Sequence, residues 1–336
     1  MLKHRKLLWQ VPLLLLLIVG TIAILHQHNN KPFQYFEGFV FGTVFHVTYQ
    51  SDEPLDSLIT SGLDQVDATL SMFNPVSTLS RINENKPVET DDMFTEVVSL
   101  ALRIAADTDG AFDPTVAPLV NLWGFGYKRG QTPSQEALDS IRPYVGYQKV
   151  SLTPEGQLQK SDPHVSMDLS AIAKGYGCDV VAAILRKHGV KNFMVEIGGE
   201  IVASGQSPKQ QPWRIGVTKP NDDPNSDEGE VQHIMKLTDC AIATSGNYRN
   251  FYYRDGKKYA HTIDPKSGQP VQHSMLSATV ISDSGAKSDA YSTAFMVMGL
   301  DKAKQVLSRH PELRAYFILS TPDGGTTTWM SEGLED

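Results

Sequence analysis

Cysteine is scarce in this chain: Cys178 and Cys240 are the only two in 336 residues. They fit no metal-site spacing, and two thiols do not build a disulfide scaffold. In an oxidising compartment they could pair. Cys178 sits in a helical pattern and Cys240 in a strand pattern, so both are read as small buried hydrophobes. Positive charge is also in deficit, with 30 Lys+Arg against 38 Asp+Glu and a formal net charge of −8. Without a basic stripe or zinc-finger spacing, such a chain has no general attraction to nucleic acid, and no nucleic-acid partner is expected. P-loop, HExxH and GxSxG strings are missing too. The glycine-rich stretches at Gly124 and Gly175 break the dinucleotide-binding pattern at its sixth place, with Arg129 and Val180 there, and neither follows a strand pattern. These absences remove the common nucleotide folds and hydrolase triads.

What is present is an ordinary globular composition, 40% hydrophobic and 20% charged, long enough for a sizeable core. The first thirty residues differ from the rest. Lys3, Arg5 and Lys6 precede Leu7–Leu25, which is apolar except for Gln10 and Thr21. A helix of about 20 residues crosses the hydrocarbon of a bilayer at ~1.5 Å per residue, so this run is just long enough. Its positive N-terminal flank puts the remainder outside the cytoplasm. A cleaved signal peptide needs small residues at the cleavage site, and Ile24–Asn30 supplies none. The expectation is a basic segment and membrane anchor over 1–30, followed by one extracytoplasmic domain over 31–336. Without the three cations and no acids of residues 1–30, that domain carries −11.

Periodicity organises the domain. Gly38–Tyr49 is β-branched and aromatic and predicts a strand. Leu55, Leu58, Ile59, Leu63, Val66 and Leu70 share one helical face behind Pro54. A polar loop is expected over Asn74–Arg81. A helix follows over Asp92–Asp107, capped by Asp91 and stopped by Gly110. Ala111–Gly130, rich in Gly, Pro and aromatics, reads as an ordered binding loop. Ser166–Ser170 opens a helix that ends at His188-Gly189. Short strands are then predicted at Phe193–Ile197, Ile201–Ser204, Trp213–Thr218, His233–Leu237, Cys240–Thr244, Asn250–Arg254 and Lys258–Ile263, with a hairpin turn at Asp255-Gly256 and a flexible acidic loop over Pro220–Glu230. Helices over Ala286–Met298 and Lys302–His310, split by Gly299, precede a last strand at Arg314–Leu319. The fold class is α+β, mostly antiparallel sheet with packed helices, and not a regular βαβ series.

Three segments carry chemistry. In Met167–Gly177, Asp168 or Ser170 can cap a helix whose N-terminus suits a phosphate, and Lys174 lies one turn further on. Read alone, the same segment is equally a capped helix with a surface lysine. In Ser284–Ala294, Asp289 and Thr293 are four apart and share a helix face, offering hard oxygens to Mg²⁺; an Asp near a helix start is more commonly a cap. In the third segment, Ala243–Tyr248 followed by Tyr259–Gly268, His261 ends a strand before a Pro/Gly turn, where an imidazole can act as general base near neutral pH.

Taken with Phe41-Gly42-Thr43, Phe73, Leu79–Asn83, Gly110–Thr115 and Glu196–Glu200, these strings stand in an order that resembles the ApbE family, the FAD:protein FMN transferases. The likeness covers nearly everything after residue 30. It implies an α+β, tunnelling-fold-like core and an enzyme that uses FAD and Mg²⁺ to place FMN on a Thr or Ser hydroxyl of a target protein, releasing AMP. By position, Asp289, Thr293 and the Ala171 carbonyl would hold the metal. Lys174 and Asp168 would contact FAD, and Phe41, Phe73, Ala111, Phe112, Asp113 and Ile263 would line its pocket. His261 would deprotonate the acceptor. Phe73 stands where many members carry Tyr, and Phe41 where Met is common. Glu200 replaces the usual Asp, and no role is drawn from it. With the anchor read above, the expectation is a bacterial inner-membrane protein with its catalytic domain on the periplasmic side, and the family suggests membrane or exported redox proteins as its targets.

The chemistry is consistent with that. Attack on a diphosphate phosphorus needs charge neutralisation, alignment and a base. Two alternatives use the same residues: a Mg²⁺-dependent FAD pyrophosphatase, and a protein that binds FAD without turnover. The Asp323–Thr328 string has a faint likeness to a flavinylation target and is read as a hairpin turn.

Overall fold

The computed structural model describes residues 11–22, 31–125, 133–220, 231–247, 251–254 and 257–334. The strands are β1 (Phe33–Val40), β2 (Thr43–Gln50), β3 (Val150–Leu152), β4 (Leu158–Lys160), β5 (Phe193–Ile197), β6 (Glu200–Ser204), β7 (Trp213–Thr218), β8 (Val231–Leu237), β9 (Cys240–Gly246), β10 (Phe251–Arg254), β11 (Lys257–Ala260), β12 (Ile263–Asp264), β13 (Gln269–Pro270), β14 (Met275–Ser282), β15 (Arg314–Ser320) and β16 (Thr326–Met330). After a helix over residues 11–22 (α1) come α2 (Asp56–Leu70), α3 (Thr78–Asn83), α4 (Asp92–Asp107), α5 (Ala117–Leu122), α6 (Gln135–Ile141), α7 (Ser170–Lys187) and α8 (Gly285–Leu307).

An eight-stranded sheet in the order β1-β2-β5-β6-β9-β14-β15-β16 organises the domain. Every one of its pairings is antiparallel, as the hairpin-rich sequence predicts. One face carries α2, α4, α7 and α8. There Val97, Ile172, Phe295 and Phe317 belong to one apolar cluster, and Ile59, Val181, Val195 and Ala241 to its neighbour. The other face is covered by the β7–β8 ribbon, where Ile215, Val217 and Met235 pack on Ile242, Ile281 and Ile318. The middle strands are therefore buried on both sides.

That burial explains the strand the periodicity does not show. In β14, seven of eight residues are buried, among them Ser277 and Thr279. With no solvent face, the strand has no alternation to read, and its hydroxyls resemble a loop. Gly38–Tyr49, predicted as one strand, is instead the end of β1, a turn and most of β2. Phe41 and Gly42 form the turn with φ of 52° and 76°, the left-handed pair that a two-residue hairpin needs. Within the expected loop Asn74–Arg81, Ser77 caps α3 by accepting from Ser80 N. The Ala111–Gly130 stretch contains α5, and its residues 126–130 lie outside the described set, as do Asp255-Gly256 and 221–230. Gly299 breaks α8 with φ 74° and ψ 178°, where the sequence divides two helices. Cys178 and Cys240 are both buried and free.

Of the expected anchor, residues 11–22 are helical and the flanks lie outside the described set. Among the described residues no helix is long and apolar enough to cross a membrane.

Candidate active site

The N-terminal ends of α7 and α8 meet on the helical side of the sheet, and their contact sets the site. Asp179 of α7 accepts from Gly285 N (2.7 Å), Ala286 N (2.9 Å) and Ser284 Oγ (2.8 Å), capping α8 from outside. Burial pushes the Asp179 carboxyl up, against these three donors. One helical turn into α8 from this cap stands Asp289.

Asp289 is 2% exposed, and its Oδ2 accepts from Gly175 N at 3.1 Å. In a regular helix that amide would donate to the Ala171 carbonyl. Ala171 has φ −90° and ψ 16°, off the helical values. The Gly175 amide thus turns toward Asp289 in the turn where the backbone departs from the helix at Ala171. Thr293 lies one turn beyond Asp289, with its Oγ1 3.2 Å from Ser245 Oγ. Ser245 also meets Ser292 Oγ at 2.8 Å.

Lys174 Nζ lies 2.9 Å from Glu200 Oε2 and 4.0 Å from Asp289 Oδ1. Burial alone would push the ammonium down, but the two carboxylates outweigh it and hold its pKa above the ordinary value. Burial pushes the Glu200 carboxyl up to about 7 against the pull of Lys174, and pushes Asp289 up against Lys174 and the Gly175 amide.

A cavity of about 440 Å³ opens beside this cluster, inside the usual range for small-ligand sites. Among the residues expected from the sequence, Phe73, Ala111, Phe112, Asp113, Asp168, Ala171, Lys174, His261, Ile263, Asp289 and Thr293 all line it. Phe41 does not. It sits in the β1–β2 turn and packs against Gly177, where a Cβ would come within 2.8 Å of its ring.

The loop residues are held in place by bonds distant in sequence. Asp113 spends both oxygens on the protein, taking Thr115 N (2.8 Å), Thr115 Oγ1 (2.6 Å) and Tyr147 N (2.9 Å). It shapes the wall through its backbone and ring of partners. Asp168 N donates to Pro114 O at 2.7 Å, and Asp168 Oδ1 accepts from Ser170 N at 2.8 Å, a turn that leads into α7; the N-cap itself is Leu169, so neither Asp168 nor Ser170 is the capping residue the sequence suggests. Asn83 exchanges two 2.8 Å bonds with the Met167 backbone. His261 follows β11 and makes an edge contact with Phe125, ring centres 6.4 Å apart. Its loop is pinned by Trp123 Nε1 donating to Gly268 O at 2.7 Å and by Thr262 Oγ1 donating to Asn247. Phe73 is 63% exposed and stands at the mouth.

Glu200, to which the sequence assigns no role, is 4% exposed and lines the cavity. The signal was its place after Gly198-Gly199, a left-handed pair (φ 60° and 103°) closing the β5–β6 hairpin. Ser245 and Phe125, from segments the sequence marks but without a role of their own, also line the wall, and Met296 is brought there by the fold alone.

Comparison with known proteins shows the family. The family model described as "ApbE family" matches residues 41–317. The chain belongs to the ApbE family. Among relatives, the "FAD:protein FMN transferase" of Escherichia coli (strain K12) is 35% identical over 308 residues, covering 88% of this chain and 86% of that protein. The protein of the same name from Vibrio cholerae serotype O1 is 39% identical over 299 residues, covering 85% and 87%. A solved structure, "Flavin Transferase ApbE from Vibrio cholerae", superposes with a TM-score of 0.80 at 35% identity, covering 90% of this chain and 99% of that one. The ApbE match begins at Phe41, so it takes in the hairpin turn as well as the cavity wall.

Proposed function

We propose that this protein transfers the FMN half of FAD to a Thr or Ser hydroxyl of a target protein and releases AMP. The observation that carries this is the convergence of His261, Lys174, Asp289 and Thr293, from three separated segments, on one cavity. Support also comes from the relatives and solved structures that bear the flavin transferase name.

Asp289, Thr293 and Ala171 line the same cavity and offer it a buried carboxylate, a hydroxyl and a backbone carbonyl, hard oxygens that suit Mg²⁺. A Mg²⁺ ion bound there would neutralise charge on the diphosphate. The chain's own residues do the rest. Phe73, Phe112 and Ile263 offer apolar surface to the rings of the dinucleotide. Lys174 presents its ammonium to the phosphates, and the start of α7 adds its dipole. His261 takes the acceptor's proton as the new O–P bond forms, while the P–O–P bridge breaks and AMP leaves. General-base help of this kind is worth ~10²–10⁴ in rate. The exposed Phe73 rim leaves a protein hydroxyl a way in.

The same reading puts the domain outside the cytoplasm of a bacterial cell. Residues 1–30 would be a single-pass inner-membrane anchor, with the domain on the periplasmic side. Support comes from the Lys3-Arg5-Lys6 cluster ahead of the apolar run. Its acceptors would be membrane or exported redox proteins.

The test is to incubate the full chain with FAD, Mg²⁺ and a Thr-bearing acceptor, then measure acceptor mass and free nucleotides. Acceptor heavier by FMN, with AMP released, is the expected result. Free FMN and AMP at an equal rate without acceptor would make it a pyrophosphatase, and no turnover a binding protein. Extraction of membranes at alkaline pH should leave the full chain in the pellet; release would remove the anchor.

A further inference from the structure

Glu200 is not used by the reaction as described, yet it is one of few carboxylates buried in this domain, 4% exposed on the cavity wall. Its Oε2 lies 2.9 Å from Lys174 Nζ, a charge-assisted contact. The same ammonium stands 4.0 Å from Asp289 Oδ1. One cation is thus shared unequally between two buried carboxylates, and the nearer is not the one that faces Thr293.

We infer that Glu200 is a positioning residue that reserves Asp289 for a divalent cation, by holding the Lys174 ammonium as the nearer partner. The inference rests on reading Asp289 and Thr293 as a cation site. With Glu200 ionised, the cluster of two carboxylates and one ammonium keeps one uncompensated negative charge, on the side where a dication is to bind. With a neutral side chain at 200 the cluster is balanced. Lys174 then needs to move only about 1 Å to close a direct ion pair with Asp289. Both effects weaken cation binding. They act in the opposite sense on an anion, because a diphosphate arriving without a cation meets one carboxylate fewer. Opposed shifts of this kind are not produced by loss of packing, which weakens both ligands together.

The test uses the full chain at about pH 8, above the value of about 7 to which burial pushes the Glu200 carboxyl. Mn²⁺ binding is followed by electron paramagnetic resonance, and ADP binding in the presence of EDTA by calorimetry. For Glu200→Gln the expected result is Mn²⁺ affinity lower by about tenfold or more and ADP affinity higher by roughly threefold or more. Glu200→Asp, which keeps the charge, should stay near wild type for Mn²⁺. Lys174→Met removes the competing ammonium and should bind Mn²⁺ at least as tightly as wild type. The role of Glu200 is overturned if Glu200→Gln weakens both ligands or leaves Mn²⁺ unchanged, or if Lys174→Met binds Mn²⁺ more weakly. Asp289→Ala separates the two readings. If it leaves Mn²⁺ binding intact, the cation site itself is wrong. If it abolishes binding while Glu200→Gln does not alter it, the site stands and only the reserve role falls.

Discussion

Gly175 and Gly285 touch backbone to backbone: a Cβ on Gly175 would lie 2.1 Å from the Gly285 carbonyl oxygen, and one on Gly285 2.2 Å from that of Gly175. Neither neighbour is a flexible side-chain tip, so neither can give way. This approach lets the Gly175 amide reach Asp289 on the cavity wall.

Gly175→Ala should therefore both destabilise the fold and open the site. Overpacking of this kind costs about 1–3 kcal/mol or more. The expected outcome is a clear drop in melting temperature together with loss of metal-dependent turnover. An alanine variant that melts and turns over like wild type would refute the close approach.

Asp179 holds the start of α8 through three hydrogen bonds. Asp179→Ala leaves the Gly285 and Ala286 amides without an acceptor, at a cost of about 1–3 kcal/mol. Chemical denaturation should show that loss. Asp179→Asn, which keeps one oxygen, should lose less.

His261→Ala tests the base. Transfer should fall by ~10²–10⁴, while FAD binding measured by flavin fluorescence stays close to wild type. A fall in binding equal to the fall in rate would make His261 a wall residue and not a base.

Asp289→Ala should abolish Mg²⁺-dependent turnover and leave the fold intact: it removes a carboxylate that burial disfavours and leaves Lys174 paired with Glu200, but the Gly175 amide loses its acceptor, at a cost of about 1–3 kcal/mol at most. Stopped transfer assays and thermal melts read the two effects separately.

His273 gives the fold a pH dependence of definite sign. It sits at the α8 break, with Nε2 2.9 Å from Met296 O and Nδ1 accepting from Met275 N at 3.2 Å. Nδ1 must stay unprotonated to accept, and burial pushes the imidazole below its ordinary value, against its backbone bonds. A group whose folded pKa is depressed stabilises above its unfolded pKa of about 6.5 and loses that contribution as pH falls through the folded one. Melting temperature should fall below about pH 6.5, and more gently in His273→Gln. A steeper acid loss in the variant would reverse the assignment.

Much of this was legible in one dimension where local physics decides. The α4 stripe of Phe94, Val97, Val98, Ala101 and Ile104 is buried as its periodicity requires, between the Asp91 cap and Gly110. β14 was not legible, because a strand covered on both faces loses its alternation. The Phe41-Gly42 turn was hidden because a phenylalanine with positive φ is an unusual turn residue.

The sequence by itself determined most of the longer helices and strands and the antiparallel α+β class, and its family order named eleven residues that line the cavity. Those signals are local or are carried as ordered strings. Tertiary structure alone decided that Phe41 packs on Gly177 and not in the cavity lining, that Asp113 spends its carboxylate on the loop, and that Lys174 lies nearer Glu200 than Asp289. The physical reason is that each outcome depends on distance and burial between residues far apart in the chain, and the energy of a charge or hydrogen bond is set by those two quantities.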